Sequence, residues 1–215
     1  MKTSKFRFVE MEEKIAAFTQ EERKKRLREY MRARRSENEN RDGKETCLLN
    51  NFFKAVFGDE ETENDKMAGA GMRRTFFIYL SHSSEAPTDR LIERLQRAGH
   101  VVCCPKIVGK EMFPVVYAED FTIGEYGLRE PVGEIYEGEI DVAVAPLLAV
   151  DRQGNRLGMG GGYYDKFLAK IPKANRIAYC YDFQVCNAVP VLAHDQRMDV
   201  IVTDKQIWMA RSRDF

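Results

Sequence analysis

The stretch that most constrains this chain is residues 151–168, which read DRQGNRLGMGGGYYDKFL. An apolar run, Val142-Ala143-Val144-Ala145-Pro146, precedes it and reads as a buried strand. Tyr163-Tyr164-Asp165-Lys166-Phe167-Leu168, at its end, carries helical apolar spacing. A strand that breaks into a glycine-rich turn and then enters a helix exposes backbone N–H groups, and the helix start adds partial positive charge. Gly158, Gly160, Gly161 and Gly162 let the main chain approach a ligand more closely than any side chain would permit. Arg156, just ahead, offers five permanently charged donors. This pattern predicts a phosphate site. A Walker A loop is excluded, because Gly162-Tyr163-Tyr164 stands where Gly-Lys-Ser/Thr is needed, and GxGxxG fails because Tyr163 occupies its last glycine. The plainer alternative is a tight turn whose glycines serve only packing. The arginine and aspartate flanking the glycines argue against it.

From Thr75 onward the chain alternates strand and helix. Phe76-Phe77-Ile78-Tyr79-Leu80, Val101-Val102-Cys103-Cys104, residues 141–145, Arg176-Ile177-Ala178-Tyr179-Cys180-Tyr181 and Val200-Ile201-Val202-Thr203 read as buried strands. Phe113-Pro114-Val115-Val116-Tyr117 and Phe121-Thr122-Ile123 read as shorter, more exposed ones. A helix capped by Thr88 carries Leu91, Ile92, Leu95 and Ala98 and stops at Gly99. Residues 46–57 form a helix with a broad apolar stripe, and residues 58–71 an exposed loop. The expected fold is α/β: a mostly parallel sheet covered by helices on both faces, with an N-terminal helical segment. Residues 19–215 form one domain in this reading. Residues 1–18 are an extension, either a short extra helix or a mobile segment.

Thr19 followed by Glu22 is a capping box opening a helix through about Arg35. Leu27, Tyr30, Met31 and Arg34 fall at core-facing spacing, while Lys24, Arg28 and Arg32 or Arg35 recur on another side. On charge alone this basic run is a solvated face. Its eight basic residues also fit an RNA contact, although no aromatics are interleaved with them. Charge is balanced, with 34 basic and 34 acidic residues, so no global field points to nucleic acid or membrane. Five cysteines without CxxC spacing suit neither a disulfide scaffold nor a zinc ribbon. No apolar run approaches the ~20 residues of a membrane span, and the N-terminus lacks a signal-peptide core. A cytoplasmic monomer is therefore expected. Cys103 and Cys104 should point to opposite faces of their strand as packing residues. His82 has no metal-ligand companion. His194 and Asp195 are adjacent and so rarely face one another, which makes His194 structural.

The series Asp151, then Gly154-Asn155-Arg156-Leu157-Gly158-Met159-Gly160-Gly161-Gly162-Tyr163-Tyr164-Asp165, resembles the signature of the 5-formyltetrahydrofolate cyclo-ligase family, also called methenyltetrahydrofolate synthetases. Lys24-Lys25-Arg26-Leu27-Arg28 matches that family's Lys-x-x-x-Arg, and Ser81 with Glu85 its Ser-x-x-x-Glu. Residues 126–131 resemble its Gly-Ile-x-Glu-Pro segment. The resemblance runs from about Glu22 to Thr203.

It implies ATP-dependent cyclisation of 5-formyltetrahydrofolate to 5,10-methenyltetrahydrofolate, with Mg²⁺ bound by Asp165 and Asp199. ATP is expected on residues 24–28 and on Arg156, Leu157, Gly158, Met159, Gly160, Gly161, Gly162, Tyr163 and Tyr164, with Arg156 and Lys24 catalytic. The folate is expected on Leu80, Glu85 and residues 159–163. The plainer alternative for Asp165 is an acid favoured by the helix dipole, and both roles can hold together. The chain departs from the family at Val150, where many members have phenylalanine. It departs again at Gly161, where some have lysine, and at Leu147-Leu148, where glycine is commoner after the proline. These departures bear on the shape of the pterin pocket. An ATP-binding relative with another substrate and an RNA-binding protein using residues 23–35 are the alternative readings.

Overall fold

The computed structural model describes residues 18–58, 73–124 and 126–210. The expected extension, apart from Phe18, and the loop after Gly58 lie outside the described residues. Helix α1 (Gln20–Ser36) opens with the expected capping box. Thr19 Oγ1 accepts from the Glu22 N–H at 3.3 Å, and Glu22 Oε2 accepts from the Thr19 N–H at 2.9 Å. Helix α2 (Arg41–Phe57) begins at Arg41 instead of Thr46, without a side-chain cap. Its first residue is tied instead to the carbonyls of Ser83 and Glu85, at 3.1 and 2.7 Å. A distant contact thus sets this boundary, which is why local pattern missed it.

The rest alternates as β1 (Thr75–Ile78), α3 (Asp89–Arg97), β2 (Val101–Val108), β3 (Glu111–Val116), β4 (Phe121–Ile123), β5 (Arg129–Pro131) and β6 (Val142–Ala145). Then come β7 (Ala149–Asp151), β8 (Arg156–Leu157), α4 (Tyr163–Lys170), β9 (Asn175–Tyr179), β10 (Val185–Cys186), β11 (Val200–Val202) and β12 (Ile207–Met209). The main sheet has the order β12-β11-β9-β6-β1-β2-β3. Its five interior strands are parallel, and its two edges are antiparallel. Both faces are covered, so the central strands are apolar at nearly every position. Phe76 and Ile78 pack under α2 and α3, while Phe77 faces α4. Cys104 and Cys103 divide in the same way, as strand alternation requires. Burial pushes the Cys103 thiol up to about 12, in keeping with a packing role.

Gly99, at φ 83°, ends α3, and the His100 N–H bonds the Leu95 carbonyl at 3.1 Å in a Schellman arrangement. Thr88 occupies the cap position, but its hydroxyl donates to the Tyr79 carbonyl at 2.7 Å, tying the end of β1 to the loop after it.

The expected direct passage from strand to glycine turn is interrupted. A small sheet of order β10-β7-β8 intervenes, organised by the buried Asp151. One Asp151 oxygen accepts from the N–H groups of Gln153 and Asn155, both at 3.0 Å. The other accepts from Asn155 Nδ2 at 2.8 Å and Val189 N–H at 2.9 Å. Gly154, at φ 80°, completes the turn where a Cβ would sit 2.2 Å from the Met198 carbonyl. Helix α1 packs Leu27 and Met31 onto this small sheet through Leu148, Ala149 and Leu157.

From β1 the chain moves through α3 to β2 on one side; from β6 it moves through α4 to β9 on the other, across the opposite face. The order therefore reverses between β1 and β6. A crevice opens at their carboxyl ends, where open α/β sheets bind ligands.

Candidate active site

The crevice is a cleft of about 720 Å³. It is bounded by α1, the loop after β1, the β2–β3 hairpin, the loop leading to β5, the glycine loop with the start of α4, and residues 192–195. One end is cationic and the other apolar.

At the cationic end α1 presents Lys24, Arg28, Arg32 and Arg35. Lys24 is only 5% exposed, and its ammonium donates to Asp195 Oδ2. Arg28 Nε donates to the Gly158 carbonyl at 3.0 Å. Arg32 reaches the Met159 carbonyl at 3.5 Å. Burial, and then the charge of Arg32, lowers the hold of Arg28 on its proton, with Asp195 opposing. Two guanidiniums this close favour an anion between them. Gly160, at φ 111°, lets the loop lie against Arg28; a Cβ there would stand 3.5 Å from the guanidinium carbon.

Arg156 is 5% exposed, and each terminal nitrogen has a partner. Nη1 donates to the Pro146 carbonyl at 3.1 Å and Nη2 to Asp165 Oδ1 at 2.9 Å. Gly162, at φ 71°, caps α4 in the left-handed region. The first N–H groups of α4 therefore start beside the glycine loop, and their partial positive charge adds to that of the side chains.

The apolar end is formed by Tyr79, Leu80, Pro105, Ile107, Met112 and Leu128. Glu85 stands among them, with its side chain 13% exposed. Its Oε2 accepts from the His82 N–H at 3.0 Å, and its Oε1 lies 3.8 Å from Arg35 Nη1. Burial raises the Glu85 pKa, and the His82 N–H and Arg35 oppose this. Tyr163 reaches across the mouth to Tyr126, with their hydroxyls 2.6 Å apart.

Of the residues expected at the site, Lys24, Arg28, Leu80, Glu85, Arg156, Leu157, Gly158, Met159, Gly160, Gly161, Gly162, Tyr163, Tyr164 and Asp165 line this cleft together. Four expectations need correction. Lys25 and Arg26 are exposed on the outer side of α1, with Arg26 stacked over the Phe18 ring at 4.1 Å, and Leu27 is buried under the helix. A segment that is continuous in sequence is split by the helical turn, and only its first and last members face the ligand space.

Asp199 is the fourth. It is fully buried at the amino end of β11, the opposite end of the sheet from the cleft, and its Oδ2 accepts from the Arg176 N–H at 2.9 Å. No ion in the cleft can reach it. Asp195, four positions earlier in the chain, takes its place in the cleft. The neighbouring Gln196 N–H donates to Asp165 Oδ1 at 3.1 Å, which brings this loop against Asp165. The chain signal for Asp195 was weak, because only a buried Lys24 reveals the need for a counter-ion there. Arg35, which the charge pattern alone places on a solvated face, is 5% exposed and bonds Ser84 Oγ at 2.9 Å and the Leu147 carbonyl at 3.3 Å. His194, 71% exposed, lies 3.9 Å from Asp195 across an open edge.

A sequence model of the 5-formyltetrahydrofolate cyclo-ligase family matches residues 20–204. The chain is 31% identical over 148 residues to the 5-formyltetrahydrofolate cyclo-ligase of Escherichia coli K12, covering 64% of this chain and 81% of that one. It is 30% identical over 178 residues to the enzyme of that name from Mycolicibacterium smegmatis, covering 75% and 92%. The solved 5,10-methenyltetrahydrofolate synthetase of Aquifex aeolicus superposes with a TM-score of 0.71 at 25% identity, over 89% of this chain and 95% of that one. The Mycoplasma pneumoniae synthetase shares the fold, with a TM-score of 0.65 at 18% identity.

The chain belongs to the 5-formyltetrahydrofolate cyclo-ligase family.

Within that family its departures are now located. Val150 is wholly buried within the central strand of the small sheet, paired with Arg156 and Val185, so it reshapes packing and not the ligand space. Leu147 is likewise buried. Gly161 does line the cleft, where a Cβ would come within 2.9 Å of the Tyr163 ring. Of the three departures, only this one alters the surface a ligand meets.

Proposed function

We propose that this chain uses ATP to cyclise 5-formyltetrahydrofolate to 5,10-methenyltetrahydrofolate, releasing ADP and phosphate. One observation carries the reading: a single cleft joins a cationic, glycine-lined end to an apolar end that holds the largely buried Glu85 carboxylate. A triphosphate suits the first and a reduced pterin the second.

The formyl group on N5 is an amide, and its oxygen is a poor leaving group. Transfer of the γ-phosphoryl group to that oxygen breaks the bond to the β-phosphate and releases ADP. N10 then attacks the formyl carbon, its proton is lost, and phosphate leaves with the C–O bonding pair. This chemistry asks for positioning and charge neutralisation more than for a nucleophilic side chain. Lys24, Arg28 and Arg156 neutralise the phosphates, and the amides of the glycine loop and α4 orient them. Glu85 accepts from N–H groups of the pterin, Leu80 packs on the ring, and Tyr163 offers it an aromatic face.

Magnesium is part of the same proposal. Among the described residues no group of three or more His, Cys, Asp or Glu could hold a metal ion. Magnesium seldom needs one, since it is bound by one or two carboxylates and by the substrate's phosphates. Asp165 and Asp195 fit that requirement and would hold it. When bound, the ion would offset phosphate charge. The salt bridges of these carboxylates to Arg156 and Lys24 keep all four side chains placed before the nucleotide arrives.

Near-ultraviolet absorbance of the methenyl product tests the reading. Signal should require ATP, magnesium and 5-formyltetrahydrofolate together. ATP binding without that signal would transfer the proposal to another substrate.

A further inference from the structure

The turn carrying Glu85 is strained and is held from behind. Ser83 has φ 55°, one of two non-glycine residues with positive φ among the described residues. A side chain adopts that region only when its surroundings impose it. The Glu85 N–H closes the turn on the His82 carbonyl at 3.1 Å, and the Glu85 carboxylate folds back onto the His82 N–H. Two arginines grip this turn. Arg35, near the end of α1, bonds Ser84 Oγ at 2.9 Å. Arg41, the first residue of α2, uses its whole fork: Nη1 to the Ser83 carbonyl at 3.1 Å, Nη2 to the Glu85 carbonyl at 2.7 Å, and Nε to the Tyr181 hydroxyl at 3.3 Å. Tyr181 is fully buried beyond β9, so the guanidinium is braced against the core. Arg41 itself is not among the residues lining the cleft.

We propose that Arg41 is a positioning residue for the folate: it clamps the strained turn of residues 82–85 so that the Glu85 carboxylate remains in the cleft. The inference rests on the reading that Glu85 meets the substrate. Only a planar fork can bridge two carbonyls and a hydroxyl in this way, and an ammonium cannot. Without the fork, Ser83 relaxes toward negative φ and Glu85 turns away. Glycine at position 83 has no such drive, because it takes positive φ without cost.

The test is an equilibrium titration of 5-formyltetrahydrofolate, and separately of ATP, into the full chain. The proteins are wild type, Arg41→Ala, Arg41→Lys, Ser83→Gly and the double variant Arg41→Ala/Ser83→Gly. Arg41→Ala should weaken folate binding about tenfold, as when a charge-assisted hydrogen bond is lost, and leave ATP affinity unchanged within about twofold. Arg41→Lys should recover less than half of the loss on a logarithmic scale. The double variant should bind folate more tightly than Arg41→Ala alone, a coupling that general damage to α2 would not produce. If Arg41→Ala fails to fold, Arg41→Lys with and without Ser83→Gly is read by the same criteria. Equal weakening of ATP and folate, additive variants, or unchanged folate affinity would each overturn the clamp. A wild-type chain that does not bind 5-formyltetrahydrofolate removes the proposed function and the clamp with it. Wild-type binding that Arg41→Ala leaves intact removes the clamp alone.

Discussion

The two ends of the sheet use the same residue type in opposite ways. At the amino end, Asp141 and Asp199 each precede a strand and accept a backbone N–H from the neighbouring strand. Asp141 takes Thr75 at 2.7 Å and Asp199 takes Arg176 at 2.9 Å. Backbone donors of a paired strand cannot leave, so these carboxylates are committed to structure. At the carboxyl end, Asp165 and Asp195 pair with the side chains of Arg156 and Lys24. Those cations sit where a phosphate would compete for them. The partner of a carboxylate, more than its burial, separates the two roles.

Arg156→Ala gives the largest effect expected of this contrast. Removing a preorganised donor to transferring charge should lower turnover about 10²- to 10³-fold, with circular dichroism unchanged. Retention of most activity would take Arg156 out of the phosphate site. The next effect separates the two aspartates. Asp195→Asn should raise the magnesium needed for half-maximal rate about 10- to 100-fold. Asp199→Ala should leave that midpoint alone and cost about 1–3 kcal/mol of stability, through the Arg176 N–H left unpaired. Equal magnesium midpoints for the two variants would erase the distinction between the ends.

The smallest effect is a pH dependence. The pKa of Glu85 is raised by burial, so its ionised form opposes folding. Below the ordinary glutamate value both states are protonated and there is no penalty. As pH rises from that value through the raised one, stability is lost. Against Glu85→Gln, the melting temperature of the wild type should therefore fall as pH climbs through this window. A parallel pair of pH curves would mean that Arg35 offsets the burial completely.

The main strands were legible because a sheet covered on both faces must be apolar at nearly every position, as in Phe76-Phe77-Ile78 and Val142-Ala143-Val144-Ala145. The start of α1 was legible because Thr19 and Glu22 satisfy each other's backbone within four residues. The β7–β8 hairpin was not, because one of the bonds of its organiser Asp151 comes from Val189, far along the chain. In the basic run, charge alone would place Lys24 and Arg35 on a solvated face. They are buried because Asp195, Ser84 and the Leu147 carbonyl wait for them in the fold.

Local order along the chain determined which groups this protein can offer: glycines, an arginine and an aspartate in one short series, and a helix of cations one turn apart. Which of those cations face inward, and which of two late aspartates stands beside them, was decided by tertiary structure alone. The physical reason is that a charge is stable out of water only where a partner meets it, and the partners of Lys24 and Arg35 come from distant parts of the chain.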